Sequence, residues 1–522
     1  MHQVHINGET LTIEDVIKVA RENAKVMIPE HAKKRVSESR KVLEKLVKEN
    51  NVIYGVNTGF GALSNTRILP QEIKQLQINL IRSHSAGVGK PLSTEIVRAL
   101  MLLRANTLAK GHSGIRLETL EILVEMLNKK VHPIIPSKGS VGASGDLAPL
   151  SHMVLVLIGE GKVEFKGKVM KGKEAMAKAG IKPVQLEFKE GIALNNGTQV
   201  MTAIAALTVY DAENLIRTAE IATALTLEGL LGVSDAFDEK IQKVRPHMGQ
   251  AITAKNISEL IVGSRLVQTG KEAVKKTLRP HDPYSLRCTP QVLGAARDAI
   301  TYAKRVVETE INSATDNPLV FPEEEICLSG GNFHGQPVSL AMDLLGIALT
   351  MVGNFSERRI ARLLDDKLNN GLPIFLVPPE AKTGLNSGLM ITQITAAALA
   401  SENKVLAHPA CADSIPTSAN FEDFVSMGVT AAQKTMQTLE NTEYIVAIEL
   451  LCATQAIDFR GPRKLGKGTK KVYKTIRKVV PMLKEDRVLN EDIEKVREEI
   501  RKNLILNEIR KSDRKMTPFL LD

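Results

Sequence analysis

Along much of the chain apolar residues recur every three or four positions, the period that gathers them on one face of a helix. The spacing predicts two short amphipathic helices rich in Lys and Glu over residues 12–50. It predicts further helix over 71–127, where Ile96, Leu100, Leu103 and Leu108 share a face. Three glycines break the pattern in Ile53–Leu63, which reads as a loop, and Pro133 and Pro136 end the helical region. Residues 162–173 alternate and read as a small surface hairpin. From about residue 198 the pattern changes. Met201–Leu231, Asn332–Leu364, Asn386–Leu406 and Val429–Phe459 are long and several are apolar nearly all round. Helices of that kind belong inside a larger body, and this many point to a bundle shared between subunits, a symmetric tetramer. The tail Glu485–Lys511 is densely charged and reads as a solvated helical face. The chain contains no internal repeat and no low-complexity linker.

Composition sharpens this picture. Aromatics make up 3% of the 522 residues and Trp is absent, so the core must be built from Leu, Ile, Val, Ala and Met, which favours packed helices over sandwiches. The net charge is +10 (69 basic, 59 acidic), spread widely, with a concentration at Lys464–Lys478 that offers only Tyr473 for stacking. That argues against nucleic acid as a partner. The four cysteines, Cys288, Cys327, Cys411 and Cys452, lie far apart, so a reducing cytoplasm is expected rather than a disulfide framework. The opening MHQVHINGETLTIEDV lacks the basic and apolar regions of a signal peptide. Leu340–Val352, the most apolar stretch, is interrupted by Asp343 and too short to span a bilayer, so no membrane is expected.

The common catalytic motifs are missing: there is no GxSxG, no Walker loop, no GxGxxG after a strand and no HExxH. The eleven histidines show no metal-ligand spacing, so neither a metal nor a nucleotide is expected. What remains is four glycine- or proline-punctuated islands in a helical chain: IYGVNTGFG, KGSVGASGDLAP, ALNNGTQ and DPYSLRCTPQ. Loops on a rigid scaffold are where function concentrates. Within the second island, attack of the Gly145 amide nitrogen on the Ala143 carbonyl would close a five-membered ring. Loss of water from that ring and of the Ser144 hydroxyl would leave an exocyclic methylidene, a strong electrophile. Glycine suits the attacking position because it lacks a Cβ. On these three residues alone, an ordinary loop or an anion-binding nest at a helix N-terminus is the simpler reading.

The longer stretch GSVGASGDLAPLSH resembles the signature of the aromatic amino acid ammonia-lyases and their aminomutase relatives. The resemblance extends from Tyr54 to at least Met427 through YGVNTGFG, SHSAGVG, NNGTQ, DPYSLRCTPQ, TDNPLVF, GGNFHGQP, GLNSGLMITQITAAALASENK and TSANFEDFVSMG. It implies that Ala143, Ser144 and Gly145 cyclise autocatalytically to 4-methylideneimidazole-5-one (MIO), whose methylidene carbon bonds the substrate amine. It implies that the phenol of Tyr54 removes the β-proton and that Arg287 clamps the substrate carboxylate in a bidentate fork. Asn196 is implied to contact the prosthetic group, Tyr284 and Phe333 to be further site positions, and Asp146 to assist ring formation. An unperturbed tyrosine titrates near ~10, so the site is expected to favour phenolate through helix N-termini or a nearby cation. The implied fold is mainly α, a long-helix bundle of the ammonia-lyase/fumarase-like type. Residues 1–200 would hold the prosthetic group and residues 201–522 would form the core of a homotetramer with shared active sites. The GSSxMPxKxN signature of the fumarase and argininosuccinate-lyase relatives is absent.

Ser83-His84 and Glu422 resemble the pattern of the histidine-specific branch. A carboxylate can accept a hydrogen bond from an imidazole N–H, and His84 can pair with the same ring. A phenyl ring would leave a buried carboxylate unpaired. Three positions depart from that branch: His281 stands where Gln is usual, and Phe421 and Phe424 flank Glu422 where Gln and His are usual. The expected reaction is therefore deamination of L-histidine to trans-urocanate. A phenylalanine or tyrosine lyase, a 2,3-aminomutase, or a lyase of a modified histidine is the alternative. A non-catalytic helical oligomer or nucleic-acid binder is a third reading, opposed by the intact Tyr54, Ala143-Ser144-Gly145 and Arg287.

Overall fold

Twenty α-helices and nine strands of at most four residues make up the computed structural model, which describes residues 3–277 and 280–510. The mainly α expectation holds. The chain divides into two compact units. One takes in the described residues up to Tyr210 with Ala303–Asp343 and Pro409–Gln433, and the other Asp211–Tyr302, Leu344–His408 and the chain from Lys434 onward.

The predicted amphipathic pair near the start is Ile13–Glu22 and Glu30–Lys48. Thr12 and Asp15 form a reciprocal capping box at the first, which satisfies backbone donors that open a helix. The 71–127 region resolves into three helices, Ile73–His84, Thr94–Ala109 and Leu117–Asn128. Strands Lys162–Phe165 and Lys168–Lys171 pair as predicted, around Lys166 and Gly167, which both take positive φ (51° and 75°) as a two-residue hairpin turn requires. This hairpin is not confined to the surface: its first strand also pairs with His132–Pro133, and Val163 and Phe165 are buried.

The long apolar runs become Gln199–Gly229, Gln336–Leu364, Met390–Leu406 and Gly428–Arg460. Two of them are enclosed by the chain itself: every residue from Asn214 to Leu230, and from Ile445 to Ile457, is buried. The other two are not. Gln336–Leu364 exposes Leu340, Leu344 and Ile347 at helical spacing, and Met390–Leu406 exposes Met390, Ile391, Ile394 and Val405. Gln336–Leu364 is also longer than the apolar stretch read from sequence. By length and composition it could cross a membrane, but 67% of its most apolar window is buried in the fold.

The charged tail differs from its expectation too. Asn490–Arg501 and Leu504–Arg510 bury Val496, Ile500, Ile505, Leu506 and Ile509, because the aliphatic residues share a face; Asp492 and Arg497 are buried beside them, paired with Arg487 and with Glu440 and Glu443. Lys511 lies outside the described residues.

Candidate active site

The island around Tyr54 is anchored from both sides. Ile53 and Val56 are buried against Val42, Leu43 and Val320, which fixes the short turn that presents the phenol between them. The Tyr54 hydroxyl accepts a hydrogen bond from the Gly61 amide (3.0 Å), and the ring meets Phe60 edge-on at 6.4 Å. Burial pushes the phenol above its ordinary value, the Gly61 N–H offsets part of that, and the Glu422 carboxylate adds to the rise. Among the described residues no Lys or Arg lines the cavity around Tyr54, so the expected phenolate-favouring cation is not in its wall.

Ala143-Ser144-Gly145 is held by backbone contacts rather than by a regular element. Gly145 takes φ +74° and forms a bridge to Gly197, and a Cβ on it would lie 2.2 Å from the Gly197 carbonyl oxygen. Only glycine fits there. The Gly142 carbonyl accepts from Ser426 Oγ (2.9 Å), and Met427 N–H donates to Val141 (2.8 Å). Asn196 Nδ2 donates to the Ser144 carbonyl at 2.7 Å, while its own Oδ1 is buried without a partner. The Ser144 hydroxyl donates to Glu422 Oε1 at 2.5 Å.

Eight predicted residues line one cavity of about 800 Å³: Tyr54, Ser83, His84, Ser144, Asn196, Phe333, Phe421 and Glu422. His84 ends the Ile73–His84 helix, and its Nδ1 lies 3.0 Å from Ser83 Oγ. Burial lowers the imidazole below its ordinary value, opposed by its backbone bond to Leu80 and by Glu422, which favours the neutral ring. Phe424, expected at the pocket rim, does not line the cavity; it stacks with His334 at 6.1 Å. His281, Tyr284 and Arg287 belong to the other unit. His281 and Arg287 line a separate pocket of about 290 Å³, the Arg287 guanidinium covers the Tyr284 ring at 4.7 Å, and Tyr284 is 68% exposed. Among the described residues no group of three or more His, Cys, Asp and Glu side chains could hold a metal ion.

A family model for aromatic amino acid lyases matches residues 11–478. The chain belongs to the aromatic amino acid lyase family. The histidine ammonia-lyase of Alkaliphilus metalliredigens is 55% identical to it over 511 residues, 98% of this chain and 99% of that protein. Among solved structures, tyrosine aminomutase from Streptomyces globisporus matches with a TM-score of 0.94 at 40% identity, covering 98% of this chain and 99% of that one. Histidine ammonia-lyase from Trypanosoma cruzi matches with a TM-score of 0.91 at 41% identity, covering 99% and 97%.

In this aromatic amino acid lyase the turn is braced from beneath by Asp146, which is fully buried. Its Oδ2 accepts the Val200 and Met201 amides (both 2.9 Å) at the start of Gln199–Gly229, and Oδ1 accepts from Ser140 Oγ (2.8 Å). A helix N-terminus suits a carboxylate, yet burial dominates and pushes the acid from 3.8 up to about 6. The folded chain thus holds a proton between these values that the unfolded chain has released. The stability tied to Asp146 is fully present below 3.8 and is lost as pH rises through about 6. Asp146→Asn is expected to flatten that segment of the stability curve, read as thermal unfolding of variant against wild type from pH 4 to 7. Parallel curves would refute the assignment.

Two contributors escaped the sequence reading. Thr417 Oγ1 donates to Glu422 Oε2 at 2.6 Å, across a loop in which Ser418, Ala419 and Asn420 all take positive φ. Arg104, fully buried, donates to the carbonyls of Asn196 (2.8 Å) and Ala193, holding the NNG turn from behind. Thr417 stands within a quoted motif, TSANFEDF, but nothing local marks it as the partner of Glu422. Arg104 sits in an otherwise aliphatic run, LMLLRANTL, and a lone charge at a core position was the available signal.

Proposed function

We propose that this lyase deaminates L-histidine to trans-urocanate and ammonia. The observation that carries the reading is the cavity's charge inventory: Tyr54, His84 and Glu422 meet there with no Lys or Arg beside them. An imidazole substrate supplies the N–H donor that Glu422 needs and a ring that neutral His84 can pair with. Once the Ser144 hydroxyl is gone, a phenyl substrate would leave Oε1 of that carboxylate without a partner while Thr417 still holds Oε2, at a cost of ~1–3 kcal/mol. The relatives named above as histidine ammonia-lyases agree with this substrate.

The residues present fit an MIO group formed from Ala143, Ser144 and Gly145. Gly145 is the residue that sterics demand at the attacking position, and Asn196 already holds the Ser144 carbonyl oxygen. When formed, MIO supplies an electrophilic carbon that makes the substrate amine a better leaving group. The chain's own residues do the rest. Tyr54 takes the β-proton, helped by the Gly61 amide, Asn196 orients the group's oxygen, and Phe333 and Phe421 shield the ring.

The substrate carboxylate needs a cation that this cavity lacks. We assign it to Arg287 of a partner copy, together with Tyr284 and His281. Exposed Tyr284, the unpartnered Nε of Arg287 and the apolar stripes on Gln336–Leu364 and Met390–Leu406 support a homotetramer with shared sites. In this reading residues 1–200 carry Tyr54, His84 and the MIO-forming turn, and residues 201–522 the oligomerisation helices together with the site residues Phe333, Phe421 and Glu422. The free thiols of Cys288, Cys327 and Cys452 support a cytoplasmic location.

Purified protein supplied with L-histidine, and no added metal or nucleotide, is expected to release urocanate and ammonia in equal amounts, with an intact mass two waters below the sequence value. Its rate is expected to rise with pH above neutrality, because burial raises the Tyr54 phenol that must ionise. Cinnamate or coumarate from L-Phe or L-Tyr, or the β-amino isomer, would replace this reading with the lyase or 2,3-aminomutase alternative, for which Phe421 in the cavity is the favouring feature. Turnover of an N-methylated histidine alone would assign a modified substrate.

A further inference from the structure

Glu422 reaches the reacting serine before any substrate does. Its Oε1 accepts the Ser144 hydroxyl at 2.5 Å across 278 residues of sequence, and its Oε2 is tied to Thr417 Oγ1 at 2.6 Å. The loop between is closed by reciprocal backbone bonds, Thr417 N–H to Glu422 O (2.9 Å) and Glu422 N–H to Thr417 O (3.3 Å). One carboxylate oxygen is therefore fixed by the protein and the other is aimed at the hydroxyl that must leave.

From this arrangement the geometry points to a second role for Glu422: it is the acid that expels the Ser144 hydroxyl during self-processing of the Ala143-Ser144-Gly145 turn. The inference rests on the prosthetic-group reading above. Ring closure joins Gly145 N to the Ala143 carbonyl carbon and sheds that carbonyl oxygen as one water with the amide protons of Gly145 and Ser144, leaving a C=N bond to Ser144 N. Elimination at Ser144 then forms Cα=Cβ and breaks Cα–H and Cβ–O. The proton released at Cα, acidified by the adjoining ring, passes to the carboxylate, and Oε1 returns it to the departing hydroxyl, so the carboxylate ends the step as it began it. The net loss is a second water, with no oxidant or reductant needed. Loss of the hydroxyl also removes the group that occupies Oε1. The same oxygen is then free to receive the substrate ring, so maturation and substrate recognition share one atom.

The test is intact mass against time after synthesis for wild type, Glu422→Gln, Glu422→Ala and Thr417→Val, with Ser144→Ala as a fold control because it removes the same hydrogen bond from the other side. Glu422→Gln keeps the size and polarity of the side chain but has no acidic proton. The second water loss is expected to slow by ~10²-fold in both Glu422 variants, the scale of a positioned general acid. A species one water lighter than the sequence should accumulate, cyclised with its hydroxyl retained. Thr417→Val, which releases the carboxylate without removing it, should fall between these variants and wild type. Wild-type protein two waters lighter, with both Glu422 variants maturing equally fast, would overturn this inference alone. Wild-type protein at its full sequence mass would overturn the prosthetic-group reading and this one with it.

Discussion

Ser144→Ala is expected to lower kcat/KM for L-histidine by on the order of 10⁴-fold or more, the scale on which removal of a covalent catalytic group acts. On the proposed MIO reading the variant cannot shed the second water, so no methylidene carbon would form and the amine would remain a poor leaving group. The fold should be untouched. The turn is held through the Gly145–Gly197 bridge, the Asn196 bond to the Ser144 carbonyl and the Ser426 bond to Gly142, none of which uses the Ser144 hydroxyl. That hydroxyl makes its bond to Glu422, itself half-buried on a largely exposed loop. Steady-state kinetics with thermal unfolding on the same sample checks both halves. Activity within tenfold of wild type would show that the serine is not the source of the electrophile.

Glu449→Ala should do the reverse, damaging stability with no direct touch on the cavity. Glu449 and Arg359 are both fully buried in the second unit and joined by two short bonds, Nε to Oε1 (2.6 Å) and Nη2 to Oε2 (2.7 Å). Ser356 Oγ (2.5 Å) and Thr226 Oγ1 (2.8 Å) donate to the same carboxylate. Its removal leaves a guanidinium uncompensated in an apolar core and two hydroxyls without an acceptor. The expected cost is ~3–5 kcal/mol, whereas replacing both partners together, Arg359→Met with Glu449→Leu, should recover most of it. Denaturant unfolding of the single and double variants measures the difference. An unchanged midpoint in Glu449→Ala would mean that water or another group compensates Arg359.

Local pattern marks one of these residues but not the pair. Glu449 interrupts an apolar run, AIELLCA, and Arg359 lies in the mixed segment ERRIARLL. A lone acid at a core position signals a partner, but not which of 69 basic residues it is. The tail shows the opposite failure. Its density of charge suggested a solvated helix, yet its aliphatic residues share one face and are buried, because a helix needs only a stripe of them to dock.

The sequence by itself determined the helical class, the long core helices, the glycine-bound loops that carry chemistry and the family, because helical periodicity, turn residues and contiguous motifs are local properties of a chain. Only the tertiary structure decided which site residues meet within one unit. It brought Ser144 to Glu422, turned Phe424 away toward His334, supplied Thr417 and Arg104 as supports, and placed Arg287, Tyr284 and His281 in the other unit. It also lifted the Tyr54 phenol where a lowered one was expected. Burial and long-range hydrogen bonding depend on what packing delivers from distant segments, and neither is written in the residues next to the one affected.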